Sequence, residues 1–162
     1  MKILGIDPGL IRTGYGIVET ESAGRAAFIE AGVIKTVRSQ GISKRLYVIY
    51  ENLEDIIKTH TPSVIVLEKI YSHYKHPATS ILMGHARGVV CLLCGINSIR
   101  LVNYSATHIK KAVTGNGRAS KKQIQSMVKE LLKLKKNPEP FDVSDALAIA
   151  ISYVYMGAKR EG

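Results

Sequence analysis

"KILGIDPGLIRTGYGIVE", residues 2–19, holds two apolar runs separated by a Pro-Gly turn. "MKILGID" (1–7) and "TGYGIVE" (13–19) each read as a strand, and "PGLIR" between them is short enough to force antiparallel pairing. "RAAFIEAGVIKT" (25–36) extends the meander after a break at Gly24. The first strand closes apolar-apolar-Asp, which leaves Asp7 at its C-terminal edge.

Beyond this meander the hydrophobic period changes. Leu46, Ile49, Tyr50, Leu53, Ile56 and Ile57 recur at helical spacing behind Ser43, a candidate cap, and predict a helix that covers the sheet. "SVIVLE" (63–68) is a continuous apolar strand of the kind buried on both faces in a parallel arrangement, and it ends in Glu68. "ATSILMGHARGVVCLLCG" (78–95) predicts a second helix, in which Gly84, Ala86 and Gly88 permit close backbone approach, and "SIRLVN" (98–103) a fifth strand. Ser120 is a candidate cap for a helix with Ile124, Met127, Val128, Leu131 and Leu132 on one face; a last helix follows "NPEP". The order βββ-α-β-α-β-α-α predicts an α/β fold, a mixed five-stranded sheet flanked by helices on both faces. One domain is expected over residues 1–157, with 158–162 a frayed tail.

A chain of 162 residues buries a sizeable core without staples. Cys91 and Cys94 read as one buried helix face, and with no second pair and no histidine at ligand spacing, zinc is not expected. Asp7 interrupts the N-terminal apolar region too early for a signal peptide, and no apolar run is read as approaching the roughly 18 residues of a membrane span. A cytoplasmic protein without membrane contact is the expectation. The net charge of +10 is unevenly spread: residues 69–136 hold 13 Lys/Arg against the single acid Glu130. In "KKAVTGNGRASKKQ" (110–123), Lys110, Arg118, Lys121 and Lys122 surround a Gly-rich turn that can approach a phosphate backbone, so nucleic acid is the leading polyanion.

The acids carry the chemistry. With the first and fourth strands as parallel neighbours, Asp7 and Glu68 emerge at one C-terminal edge, where open α/β sheets place their sites. Asp142 and Asp145, three apart, share one helix face. Capping accounts for them in part, with Asp142 the N-cap and Asp145 in the first turn. Four clustered acids nonetheless repel one another unless they hold a cation. Oxygen ligands favour Mg²⁺ or Mn²⁺, and two such ions about 4 Å apart are a standard device for cutting phosphodiesters.

"ILGIDPGLIRTGYGIVE", "VIVLEKIY", "GHARGVV", "VTGNGRASKKQIQSMV" and "DVSDALAIAI" together closely resemble the RuvC family of crossover junction endodeoxyribonucleases, Holliday junction resolvases, over essentially the whole chain. The resemblance implies a ribonuclease H-like fold. It also implies a homodimer that nicks strands of like polarity symmetrically in four-way DNA junctions during recombination and repair, with RuvA and RuvB as branch-migration partners. Asp7, Glu68, Asp142 and Asp145 match the family's metal-binding catalytic acids. Lys110 and Lys121 match basic positions implicated in DNA contact, and Tyr71 an aromatic that stacks near the junction centre. The loop "EKIYSHYKHPATS" is more basic and more aromatic than the family's, so the stacking ring is Tyr71 or Tyr74. His73 and His76 read as solvated or phosphate-contacting, and His85 as packed at a helix interface. "SILMGHARGVVCLLCG" (80–95) is the candidate dimer interface, because one chain has room for one site and a junction needs two. A "GIDxG" turn also occurs in actin-like sugar kinases and chaperone ATPases, but these need two domains around a cleft.

Overall fold

The structure, a computed structural model, describes residues 1–21, 24–70 and 77–157. Among these, five strands form one sheet: β1 (Lys2–Asp7), β2 (Arg12–Thr20), β3 (Ala26–Lys35), β4 (Val64–Glu68) and β5 (Arg100–Tyr104). They lie in the order β3-β2-β1-β4-β5. The meander β1-β2-β3 is antiparallel, while β4 pairs parallel with both β1 and β5. Thr13 fixes the turn after β1: its hydroxyl donates to the Gly9 carbonyl at 2.8 Å and accepts from the Gly9 N–H at 3.3 Å.

Strand parity sorts the core into two layers. Leu4, Ile6, Ile17, Ile65 and Leu67 pack against α1 (Ile42–His60) and α2 (Pro77–Ile96) through Ile49, Leu53, Ile57, Ala86, Val90 and Leu93. Ile3, Val18, Val64 and Val66 face the other way, toward α3 (Ala106–Thr114), α4 (Lys121–Leu131) and α5 (Phe141–Gly157). The odd positions of β1 and the even positions of β4 share this second face, so Asp7 and Glu68 end their strands on the side of α5.

Helix α5 comes unusually close to the sheet. A Cβ on Gly5 would collide with the Ala146 carbonyl oxygen and stand 2.6 Å from the Ala150 nitrogen; one on Gly14 would collide with the Asp142 carbonyl; one on Gly16 would stand 2.7 Å from Leu147 Cδ2. Gly5 pairs with Gly16 and Asp7 with Gly14 across β1–β2. The glycines thus form a bare seam on which α5 lies. Its alternating Ala146, Ala148 and Ala150 keep the approach narrow, while Leu147, Ile149 and Ile151 fill the surrounding core.

The sequence order lacks one helix. Residues 106–114 form α3, capped by Ser105, whose hydroxyl accepts from the His108 N–H, and stopped by Gly115 at φ 77. Its inward face is only Ile109 and Val113, too short a pattern to register by periodicity. Ser120 caps α4 as expected, with a complete capping box to Gln123. Ser43 does not cap α1: the helix begins at Ile42 behind Gly41. Asp142 is not the N-cap of α5 either; it lies inside the first turn. Nor do the cysteines share a buried face, since Cys94 is buried and Cys91 exposed. His85 is exposed as well, its Nδ1 2.9 Å from the Ile81 carbonyl of its own helix. Finally, α2 is 20 residues long with a window of mean hydropathy 1.5, enough by length and composition to cross a membrane, contrary to the sequence expectation. Its inner face packs on the sheet, which makes it a core-covering helix with an apolar outer stripe.

The seam leads to a stability prediction. Gly5→Ala should lower the unfolding free energy by about 1–3 kcal/mol, the usual range for overpacking, because backbone atoms of α5 cannot step aside without moving the helix. Urea titration measures it, and an unchanged midpoint would mean that α5 does not press on β1.

Candidate active site

Three elements converge at the C-terminal ends of β1 and β4. β1 delivers Asp7, β4 delivers Glu68, and α5 delivers Asp145 one turn in from its start. Buried Gln125 of α4 donates from Nε2 to the Pro138 carbonyl at 2.9 Å, anchoring the segment that leads into α5. These three acids line a cleft of about 280 Å³ together with Lys110 of α3 and Lys121 of α4, over a floor of Ile109, Ile124, Ala148 and Ile149. Asp142 stands outside that lining, one turn nearer the start of α5, with its backbone over Gly14.

The electrostatics follow from this crowding. Burial, then Asp145, Glu68 and Asp142, push the Asp7 carboxyl up to about 7, with Lys121 opposing. Burial and Asp145 raise Glu68, against Lys110 and Lys121. Burial raises Asp145 against the charge and hydrogen bond of Lys121. Two bases hold the helical acids: Lys121 Nζ is 3.5 Å from Asp145 Oδ2, and Arg12 Nε is 3.3 Å from Asp142 Oδ2. Among the described residues, no three Asp, Glu, His or Cys side chains are gathered closely enough to hold a metal ion as they stand. The donors are nonetheless all carboxylate oxygens, the set that suits a hard divalent cation.

Of the remaining sequence candidates, Arg118 is exposed on the loop between α3 and α4, its N–H bonded to Asn116 Oδ1 at 2.9 Å. Lys122 is exposed in the first turn of α4. Neither lines the cleft. Tyr71, His73, Tyr74 and His76, like residues 158–162, lie outside the described residues. Sequence reasoning missed Arg12, Arg87 and Asn103. Arg87 of α2 donates from Nη1 to the Glu68 carbonyl at 2.8 Å and from Nη2 to Asn103 Oδ1 on β5. Its signal was legible, a lone Lys/Arg-type charge in an otherwise apolar helix; Arg12, one cation at a strand start, had none.

A five-stranded mixed sheet in this order, with acids ending its two central strands and a helix bearing two more laid across them, is a ribonuclease H-like fold. The yeast mitochondrial Holliday junction resolvase shares that fold, with a TM-score of 0.72 at 14% identity over 98% of this chain and 80% of its own. Similarity is much closer elsewhere. The structure of Thermus thermophilus RuvC in complex with Holliday junction substrate has a TM-score of 0.90 at 26% identity, covering 99% of this chain and 96% of that one. The crossover junction endodeoxyribonuclease RuvC of Rhodopirellula baltica is 47% identical over 154 residues, 95% of this chain and 86% of that protein. The model of the family described as crossover junction endodeoxyribonuclease RuvC matches residues 3–153, and the chain belongs to that family.

The raised acids set a pH dependence whose sign is definite. The folded state keeps the Asp7 proton to about 7, whereas an ordinary aspartate loses it near 3.8. Stability from this group is therefore full below the lower value and is lost as pH rises through the upper one. In chelator, the urea midpoint should fall between about pH 4 and about pH 7. Asp7→Asn should flatten that fall; an equally steep fall in the variant would assign it to other groups.

Proposed function

We propose that this chain is a Holliday junction resolvase that cuts two strands of like polarity by metal-assisted hydrolysis in recombination and repair. The observation that carries the reading is the cleft in which Asp7, Glu68 and Asp145 meet Lys110 and Lys121. Clustered acids repel both each other and DNA, so they serve a nuclease only if cations offset them, while lysines beside them supply the attraction for a phosphate. Asp7, Glu68, Asp142 and Asp145 would hold the metal, two Mg²⁺ ions with Mn²⁺ as a substitute. Such ions, when bound, activate water and stabilise the leaving oxygen. Holding a cation would require Asp7 to give up its proton, whereas Asp142 and Asp145 engage Arg12 and Lys121 through Oδ2 alone and would have Oδ1 to offer. Lys110 and Lys121 grip the scissile strand, Arg118 and Lys122 extend the contact along the α3–α4 loop, and Tyr71 stacks at the opened junction.

One cleft cuts one strand, so paired nicks require a second copy. The outer stripe of α2 supports a two-fold dimer. Ile81, Leu92 and Ile96 are 61%, 57% and 57% exposed, and a Cβ on Gly84, Gly88 or Gly95 would meet nothing within 4 Å among the described residues. A flat apolar stripe of this kind calls for a like surface. Cytoplasmic action with RuvA and RuvB completes the reading by family membership.

The decisive assay uses a labelled mobile four-way junction with Mg²⁺, and linear duplex as control. Asp7→Asn, Glu68→Gln and Asp145→Asn should each abolish nicking while gel-shift affinity for the junction stays level or rises, since each also removes repulsion against phosphate. Binding lost in step with nicking would assign these acids to the fold.

Gly88→Glu should yield monomer by sedimentation, with junctions accumulating a single nick. A dimeric variant with paired nicks would remove α2 from the interface.

A further inference from the structure

Glu68 is the last residue of β4, paired with Tyr104 of β5, and the N–H that follows it, that of Lys69, is 2.8 Å from the Tyr104 carbonyl. The Glu68 carbonyl accepts from Arg87 Nη1 at 2.8 Å. The other arm of the same guanidinium donates to Asn103 Oδ1, next to Tyr104 on β5. One planar fork therefore bridges the ends of two adjacent strands and fastens both to α2. Arg87 is the single Lys or Arg in α2. It is half-buried, between the inward Ala86 and Val90 and the outward Gly84 and Gly88. A guanidinium taken partly out of water is costly unless its donors are used, and here two are spent on acceptors that fix a strand end.

We propose that Arg87 is a positioning residue for Glu68, holding the backbone that presents this acid and tying its placement to the helix whose outer face is exposed. The inference rests on the nuclease reading above. Lysine cannot replace the fork, because one ammonium is a point donor without two fixed directions. Both bonds of the fork end on neutral oxygens, the Glu68 carbonyl and Asn103 Oδ1, so the contact between Arg87 and Glu68 is made through the peptide. Because α2 also carries the apolar outer stripe, any tilt of that helix is transmitted to Glu68 by the same side chain.

The test compares the parent protein with Arg87→Met, which keeps the aliphatic stem, Arg87→Lys, and Asn103→Ala, which removes one acceptor and leaves the arginine. Manganese affinity without DNA is read by calorimetry, junction affinity in chelator by gel shift, mass by sedimentation, and cleavage by single turnover at saturating junction. Arg87→Met should remain dimeric and bind junction within about twofold of the parent, yet lose about tenfold in manganese affinity and about 100-fold in cleavage rate, as expected for a misplaced ligand. Asn103→Ala should lose both in the same direction by less, and Arg87→Lys should recover only part. Unchanged manganese affinity in both Arg87→Met and Asn103→Ala overturns the proposal. So does full recovery in Arg87→Lys, or a loss of junction binding that matches the loss of rate, which would make Arg87 a phosphate contact. A parent that cuts no junction overturns the nuclease reading and this inference together; a parent that cuts, beside an Arg87→Met protein that cuts equally, overturns the inference alone.

Discussion

The contact on which this molecule depends is that of α5 against the bare backbone of β1 and β2. Gly5 and Gly14 bring the sheet backbone directly against the backbone of α5, Gly16 makes room for the Leu147 side chain, and Ala146 and Ala150 add little on the helix side. A helix spaced from its sheet by ordinary side chains sits about 10 Å away. At that distance carboxylates on the helix could not share a site with carboxylates on the strand ends. Here the carbonyl of Asp142 occupies the place of a missing Cβ on Gly14, the residue paired with Asp7. Helix and strand acids meet because two backbones touch.

Burial first, and the neighbouring acids after it, carry an electrostatic cost, visible in the raised affinities of Asp7, Glu68 and Asp145 for protons. Two devices offset it in the protein alone. Asp7 keeps its proton nearly to neutrality, and Lys121 and Arg12 each neutralise one helical aspartate. Both are reversible, as a site must be if its charges are to be handed to incoming ligands. The same lysine that offsets the charge on Asp145 also faces the cleft, so acid and base here form one unit and not two separate patches.

Helix α2 does a second kind of work. Its inner face closes the sheet on the side away from the acids, its outer face is apolar and exposed, and Arg87 projects between the two to the ends of β4 and β5. A helix with hydrophobic residues on both sides reads in sequence as one long apolar segment, which is why its length and hydropathy alone resemble a membrane span. The same two-sidedness explains Cys91, placed inside by pattern and outside in the fold.

Much of the architecture was legible because it is written in local period and strand ends: the hairpin around "DPGLIR", the doubly buried β4, the capping box at Ser120, and acids closing β1 and β4 on one edge. These follow from alternation and turn chemistry, which neighbouring residues settle among themselves. What sequence could not supply were facts that arise only when distant segments meet. Helix α3 shows two inward residues and is held by α4 and α5. Asp142 turns to Arg12 instead of capping its own helix, because the glycine seam brings β2 within reach. Arg87 finds Glu68 and Asn103, which are 19 and 16 residues away along the chain. A charge in a helix announces that it needs a partner; only the packing of helix on sheet says which one it gets.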